Sequence, residues 1–554
     1  MTANRFLTFL CAVTVPLAAT ASAPEHDLTE RRLYNETAHI PPQCYTKTQD
    51  DTGKVHNPCY ACHTESRRPN FVNDADLQLG YDFPLPAEKN PWSNLFQDRS
   101  AAVAAISDAE ILDYIRRSNY FDENGKITPA QRLAEIPVGW DYNADGRWDG
   151  FVPDAWFNFD QQGFDRTPDG ELTGWRAFAY QPFLGTFWPT NGSTDDVLIR
   201  LAEIFRRGVD GQPDLTVYKT NLAIVEAMIR EADVAIAPVD EAALGGVDLD
   251  KDGAIGTARL IKYDWAPLKE RLMWYVGEAL EAQRAGKVHL AAGLYPEGTE
   301  FLHTVRYIDP DPSGANRLAP RIKEVRYAQK RYWMNYAAHE FRAAGEFKEK
   351  HDFPDRLRVI RGNLEAGVAN DQGWFYAGMI EDAAGELRPQ SYEELAFCVG
   401  CHSGIGATTD SSFAFPRKLQ AGNSHRDGWY HWSQKDLRGL PERIRSDGQP
   451  EYAFYLASNG AGDEYRENPE VRARFFDAAG RPKAEMLQRL RQDISELLYA
   501  SPARALQLAK AYRVIVREQS FNKGRDPVIT PLRNVHRQVD GGTPTGVEQP
   551  LPGS

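Results

Sequence analysis

Two short stretches carry the most specific chemistry in the chain: Cys59-Tyr60-Ala61-Cys62-His63 and Cys398-Val399-Gly400-Cys401-His402. Each is a C-x-x-C-H pattern, the spacing of covalent c-type haem attachment. Two intervening residues let both sulfurs reach the edge of one macrocycle, where each thiol adds to a vinyl group. The histidine that follows turns under the ring and offers its imidazole to iron. Zinc would need two cysteine pairs converging on one ion, and both trailing histidines would be unexplained. The pattern predicts two covalent haems, with His63 and His402 as axial ligands.

A second ligand on each iron decides between electron transfer and small-molecule chemistry. Ile322, Val325, Ala328, Tyr332, Tyr336, His339 and Ala343 share one stripe by the three–four rule, which predicts a long helix over about 320–344. That stripe turns Tyr336 and His339 inward, as candidates for acid–base work and, for His339, iron ligation. His431 lies in the cluster Trp429-Tyr430-His431-Trp432, close behind His425, and is a candidate for the same roles. Met486 follows the second motif but shares a stripe with Leu487, Leu490, Ile494 and Leu497, as a core methionine does. Cys44 is the thiol left over, a candidate for iron contact, and His56, His289 and His303 complete the set.

Two acidic loops suggest calcium. Asp248, Asp250 and Asp252 precede Gly253 in a D-x-D-x-D-G pattern, and Asp141, Asn143 and Asp145 precede Gly146, with Asp149 beyond. In such loops alternate oxygens point inward and the glycine permits the sharp turn. The bidentate glutamate expected at the twelfth position is missing: Arg259 and Val152 stand there.

The elements that must position these groups are mixed. Helices are predicted near 107–118, 194–207, 214–232, 265–285, 483–499 and 502–517, and strands near 175–180, 287–295, 302–308 and 373–380. The chain of 554 residues is 42% hydrophobic and 26% charged, which is ordinary globular composition. Its formal charge of −14 argues against nucleic acid as a partner. Residues 1–23 read as a secretory leader: Arg5, an apolar run from Phe6 to Ala19, then small residues to Ala23. Cys11 would leave with it. The mature chain is expected to be periplasmic or secreted, with no stable membrane insertion.

In its two motifs the chain resembles dihaem c-type cytochromes. In its parts list (two haems, 12 Trp, 24 Tyr, candidate calcium loops) it is loosely similar to bacterial dihaem peroxidase- and oxygenase-type proteins. The resemblance implies a mainly α fold with substantial loops and some β. Cytochrome c-like haem regions at 24–135 and 391–540 would flank a haem-free α+β middle at 136–390, with a flexible tail at 541–554. It implies a haem-dependent oxidoreductase in which one haem relays electrons and the other reacts. The alternative is a non-catalytic electron-transfer cytochrome with both irons six-coordinate. The partner is then a redox protein or a small-molecule substrate.

Overall fold

A computed structural model describes residues 27–547 apart from 31, 50–51, 57–58, 72–82, 184–189, 421–424 and 460–467. The leader at 1–23 and the end of the tail lie outside the described residues. Among those described, twelve strands occur: β1 Phe164–Arg166, β2 Leu172–Ala177, β3 Ser193–Asp195, β4 Leu198–Arg200, β5 Val234–Asp240, β6 Thr257–Ile261, β7 Glu300–Pro310, β8 Asn316–Lys330, β9 Gly362–Asn363, β10 Gly367–Ala369, β11 Trp374–Glu381 and β12 Leu387–Pro389. Ten form one antiparallel sheet in the order β1-β2-β4-β7-β8-β11-β10-β9, with β3 on β7 and β12 on β11. The ribbon β5–β6 stands apart.

This sheet corrects the expected fold class. The molecule is α+β around a ten-stranded sheet, and among the described residues no cytochrome c-like helical unit encloses either motif. The helix expected over 320–344 is the strand β8 up to Lys330, and a helix begins only at Tyr336 and runs to Asp352. The physical reason is double burial. Ile322 and Val325 are buried, but so are Arg321, Lys323, Glu324 and Lys330, each held by a polar partner. Buried charges mask the apolar alternation that marks a strand. The helix expected at 194–207 is likewise β3, β4 and a short 3-10 turn.

The central hairpin sets the register. Asp311 to Gly314 turns the chain, with the Asp311 carboxylate accepting the Ser313 N–H and Gly314 at φ +79°. Leu302 then faces Tyr327 and His303 faces Arg326, while Gly378 of β11 faces Arg326 from the other side. Because side chains alternate, Phe301 and His303, Arg326 and Ala328, and Trp374 and Tyr376 share one face. On the opposite face Leu302, Val325, Ala377 and Met379 pack with Trp140 and Trp175. The helices Asp108–Arg116 and Pro502–Glu518 pack with Tyr307, Ala319 and Ile380 of the central strands. The two ends of the described chain meet: Thr46 pairs with Val535 and Lys89 with Gln538, and Val535, Val539 and Val547 are buried.

Candidate cofactor site

The second motif rides on the helix Tyr392–Cys401. Ser391 caps it, accepting the Glu394 N–H while the Glu394 carboxylate accepts the Ser391 N–H. Arg388 pins that carboxylate with two bonds of 2.8 and 2.9 Å. Leu395 and Val399 are buried on the inner side. Cys398 and Cys401, three residues apart and so on one face, line a solvent-open cleft together with His402, about 1180 Å³ with its open mouth included. The other walls are the sheet face (Phe301, His303, Arg326, Trp374 and Tyr376) and the aromatic rings of Phe397 and Phe413.

His402 ends the motif helix, and its Nδ1 lies 2.9 Å from the Ser411 carbonyl oxygen. A carbonyl only accepts, so Nδ1 carries the proton and Nε2 keeps its lone pair for a metal. Burial lowers the imidazole pKa to about 4, against the pull of the Ser411 carbonyl, so the ring is neutral. Asp410 and Ser411 stand consecutively in left-handed backbone, φ +48° and +59°. The neighbours fix this strained turn: Lys330 bonds both Asp410 oxygens at 2.7 and 2.8 Å, and the Ser411 hydroxyl bonds Gln372. The turn aims the carbonyl that orients His402.

The first motif adjoins the second. A 3-10 turn at Cys59–Ala61 brings the His63 N–H to the Cys59 carbonyl at 2.8 Å. The Ala407 N–H bonds the Cys62 carbonyl at 3.2 Å, and Asn70 donates to the carbonyls of Ile405 and Thr408. Gly406 lies so close to Thr64 that a β-carbon would collide with the Thr64 carbonyl oxygen. Cys62 lines the same cleft as Cys398 and Cys401. Burial pushes the Cys59 and Cys401 thiols up to about 12, so both are neutral thiols. Among the described residues the motif cysteines and histidines do not converge on one ion. Cys398 and Cys401 at the wall of an aromatic cleft, beside an imidazole whose Nε2 is unprotonated, fit a covalently held haem and do not fit a zinc cluster, whereas Cys59 and His63 of the first motif are not among the cleft-lining residues.

The other candidates scatter. His431 is buried, but its Nε2 bonds the Asp196 carboxylate at 2.9 Å and its Nδ1 accepts the Ser433 N–H. Neither nitrogen is left for iron. Met486 packs in the apolar cluster with Leu490, Ile494 and Leu497. His339 is buried on the helix Tyr336–Asp352, and burial lowers its pKa to about 4; it is not among the cleft-lining residues. The Tyr336 hydroxyl donates to the Ala292 carbonyl. Cys44 sits half-buried on the turn Pro42–Tyr45, outside the cleft lining. His289 stacks on Trp333 and bonds Glu297. His303, one of the further histidine options, does line the cleft; the residues that shape it without any sequence signal are Arg326, Trp374, Tyr376 and Ser411.

The acidic loops differ from each other. Asp248 and Asp250 are joined by Glu241, a carboxylate from upstream, with ligand atoms within 4.8 Å of one another. One buried oxygen each of Asp248 and Asp250 has no hydrogen-bond partner, while Asp252 accepts the Ala254 N–H. In the other loop Asp141, Asn143 and Asp145 are closed on backbone N–H groups, and Glu365 accepts the Asp149 N–H.

One further carboxylate ties the N-terminal segment to the motif helix. Glu393 accepts the N–H groups of Tyr34 and Asn35, each at 2.8 Å. Burial, reinforced by Glu394, raises its pKa from 4.5 to about 7. Below the unfolded value both states are protonated and there is no penalty; the penalty grows as pH rises from the unfolded to the folded value and is complete above the folded value. Between about pH 5 and pH 8 the wild type is therefore expected to lose up to about 3 kcal/mol relative to Glu393→Gln. Urea unfolding of both proteins at the two pH values checks this, and parallel pH curves would refute it.

A family model described as "-like lipoprotein" matches residues 28–495. An uncharacterized lipoprotein of Aquifex aeolicus (strain VF5) is 31% identical over 586 residues, covering 95% of this chain and 93% of its own. No solved structure matches. The similarity runs to lipoproteins and not to dihaem c-type cytochromes or peroxidases, so the kinship drawn from the two motifs is corrected. What the motifs hold rests on the geometry of the cleft alone. No helix among the described residues is long and apolar enough to cross a membrane.

Proposed function

We propose, on the premise that the chain belongs to this lipoprotein family and so is exported, that it holds two covalent c-type haems side by side and passes single electrons between them and a redox partner. The observation that carries this reading is that Cys398, Cys401 and His402 line one aromatic cleft together with Cys62 of the other motif. The exported compartment, periplasmic or outside the cell, is also where such attachment takes place. The family description extends the reading to a lipid anchor at the membrane face.

A c-type haem supplies a one-electron iron couple when bound. The chain supplies the rest. Cys398 and Cys401 would carry the two thioether bonds, and His402 Nε2 would take the axial position, oriented by the Ser411 carbonyl. Phe301, Trp374, Phe397 and Phe413 exclude water, and Arg326 places a cation among them. The hydrogen bond from Ala407 to Cys62 fixes the second motif against the first, which favours transfer over a short path.

The test is a haem count. The full chain, exported from a host with haem c maturation, is expected to keep haem through denaturing electrophoresis, at two per chain by pyridine haemochrome. A chain that folds without covalent haem would sink the reading.

A further inference from the structure

The cleft contains a second imidazole, His303, on the sheet wall that the motif helix covers. It comes from β7, opposite Arg326 of β8, so a paired strand of the central sheet positions it. Its Nδ1 lies 2.8 Å from the Asp196 backbone carbonyl oxygen. That oxygen can only accept, so Nδ1 holds the proton and Nε2 keeps a lone pair, the same tautomer as His402.

Asp196 is itself clamped. Its buried carboxylate accepts from the Thr304 N–H, the Thr304 hydroxyl and His431 Nε2. Burial alone would raise this carboxyl, but His431, Arg306 and Thr304 outweigh it and hold the group below its usual range. His431 therefore acts two steps from the cleft: it fixes Asp196, and the Asp196 backbone fixes the His303 ring. A protein that only packed a histidine against a sheet would have no need of this chain of support. Both imidazoles, His303 from the sheet and His402 from the motif helix, line the same cleft.

We propose that His303 Nε2 is the second axial ligand of the haem held by Cys398, Cys401 and His402, making that site bis-histidine and closed to small ligands. The inference rests on the haem reading and adds to it the identity of the sixth ligand. It assigns this site to electron transfer rather than to peroxide or oxygen chemistry, which needs an open face. His303 is a ligand in this scheme, and Asp196 and His431 are positioning residues.

The test separates the two readings. Haem staining of denatured protein reports attachment, and EPR with near-infrared magnetic circular dichroism reports ligation. With Cys59→Ser and Cys62→Ser in place and His303 unchanged, the remaining haem is expected to be low-spin with a bis-histidine signature. His303→Gly on that background is expected to turn it high-spin while the stained haem stays, and added imidazole restores the low-spin state. His303→Met is expected to give a histidine–methionine signature instead. Stained haem that stays low-spin and bis-histidine in His303→Gly overturns the inference and leaves the haem reading standing. Should the His303 variants fail to fold, a high-spin or histidine–methionine signature in the Cys59→Ser, Cys62→Ser protein, or the absence of any bis-histidine signature in the unsubstituted protein, overturns it directly. Absence of stained haem overturns the haem reading itself.

Discussion

Replacing Lys330 with methionine is expected to destabilise the protein by about 3–5 kcal/mol, the cost of stripping the partner from a buried ion pair. Lys330 and Asp410 are both wholly buried and meet at 2.7 Å. Without the ammonium, Asp410 keeps the Tyr295 N–H and loses its counter-charge. The loss also reaches the cleft, because Asp410 begins the strained turn whose next residue orients His402. Urea unfolding measures the effect. Asp410→Asn in the Lys330→Met background is expected to recover part of it, since asparagine tolerates left-handed backbone and buries no charge. A double variant no more stable than Lys330→Met would show that the pair is not the source of the loss.

The second large effect is on cofactor content. Cys398→Ser with Cys401→Ser is expected to halve the covalent haem per chain, and the matching change at Cys59 and Cys62 to remove the other half. The two are not equivalent. The second motif lines the cleft of about 1180 Å³ with the sheet, so its loss leaves an aromatic cavity without its filler and lowers the unfolding temperature more. Because Cys62 also lines that cleft, removing the first haem is expected to shift the absorption maximum of the second. Haemochrome per protein and difference spectra read both effects. Equal haem content in all variants would refute them.

Part of this architecture was legible from residue order. The helices at 108–116, 215–230 and 502–518, and the strands β7 and β11 follow from spacing, caps and β-branched runs. β8 did not, because its polar residues are buried in ion pairs and its apolar ones fall by chance at helical spacing. His339 drew attention through that false stripe, whereas His303 sits in an ordinary strand with nothing in its neighbours to distinguish it. The value of His303 comes from the Asp196 carbonyl, and that of Ser411 from its own carbonyl. Backbone atoms leave no trace in composition. Glu241 leaves no mark in the spacing of its loop, because it joins Asp248 and Asp250 from upstream of them.

The pairing of Thr46 with Val535 and of Lys89 with Gln538 bears on how the protein is made. The first motif leaves the export channel more than three hundred residues before the loop at 405–408 against which it packs, and further still before the strand that clasps its flank. Such distant contacts close late and slowly. Through that interval Cys59 and Cys62 stay on open chain, where an attachment enzyme would reach them if they carry the haem proposed above. A late-closing fold thus keeps the segment Cys59 to His63 accessible during synthesis and packs it only when the last segment has arrived.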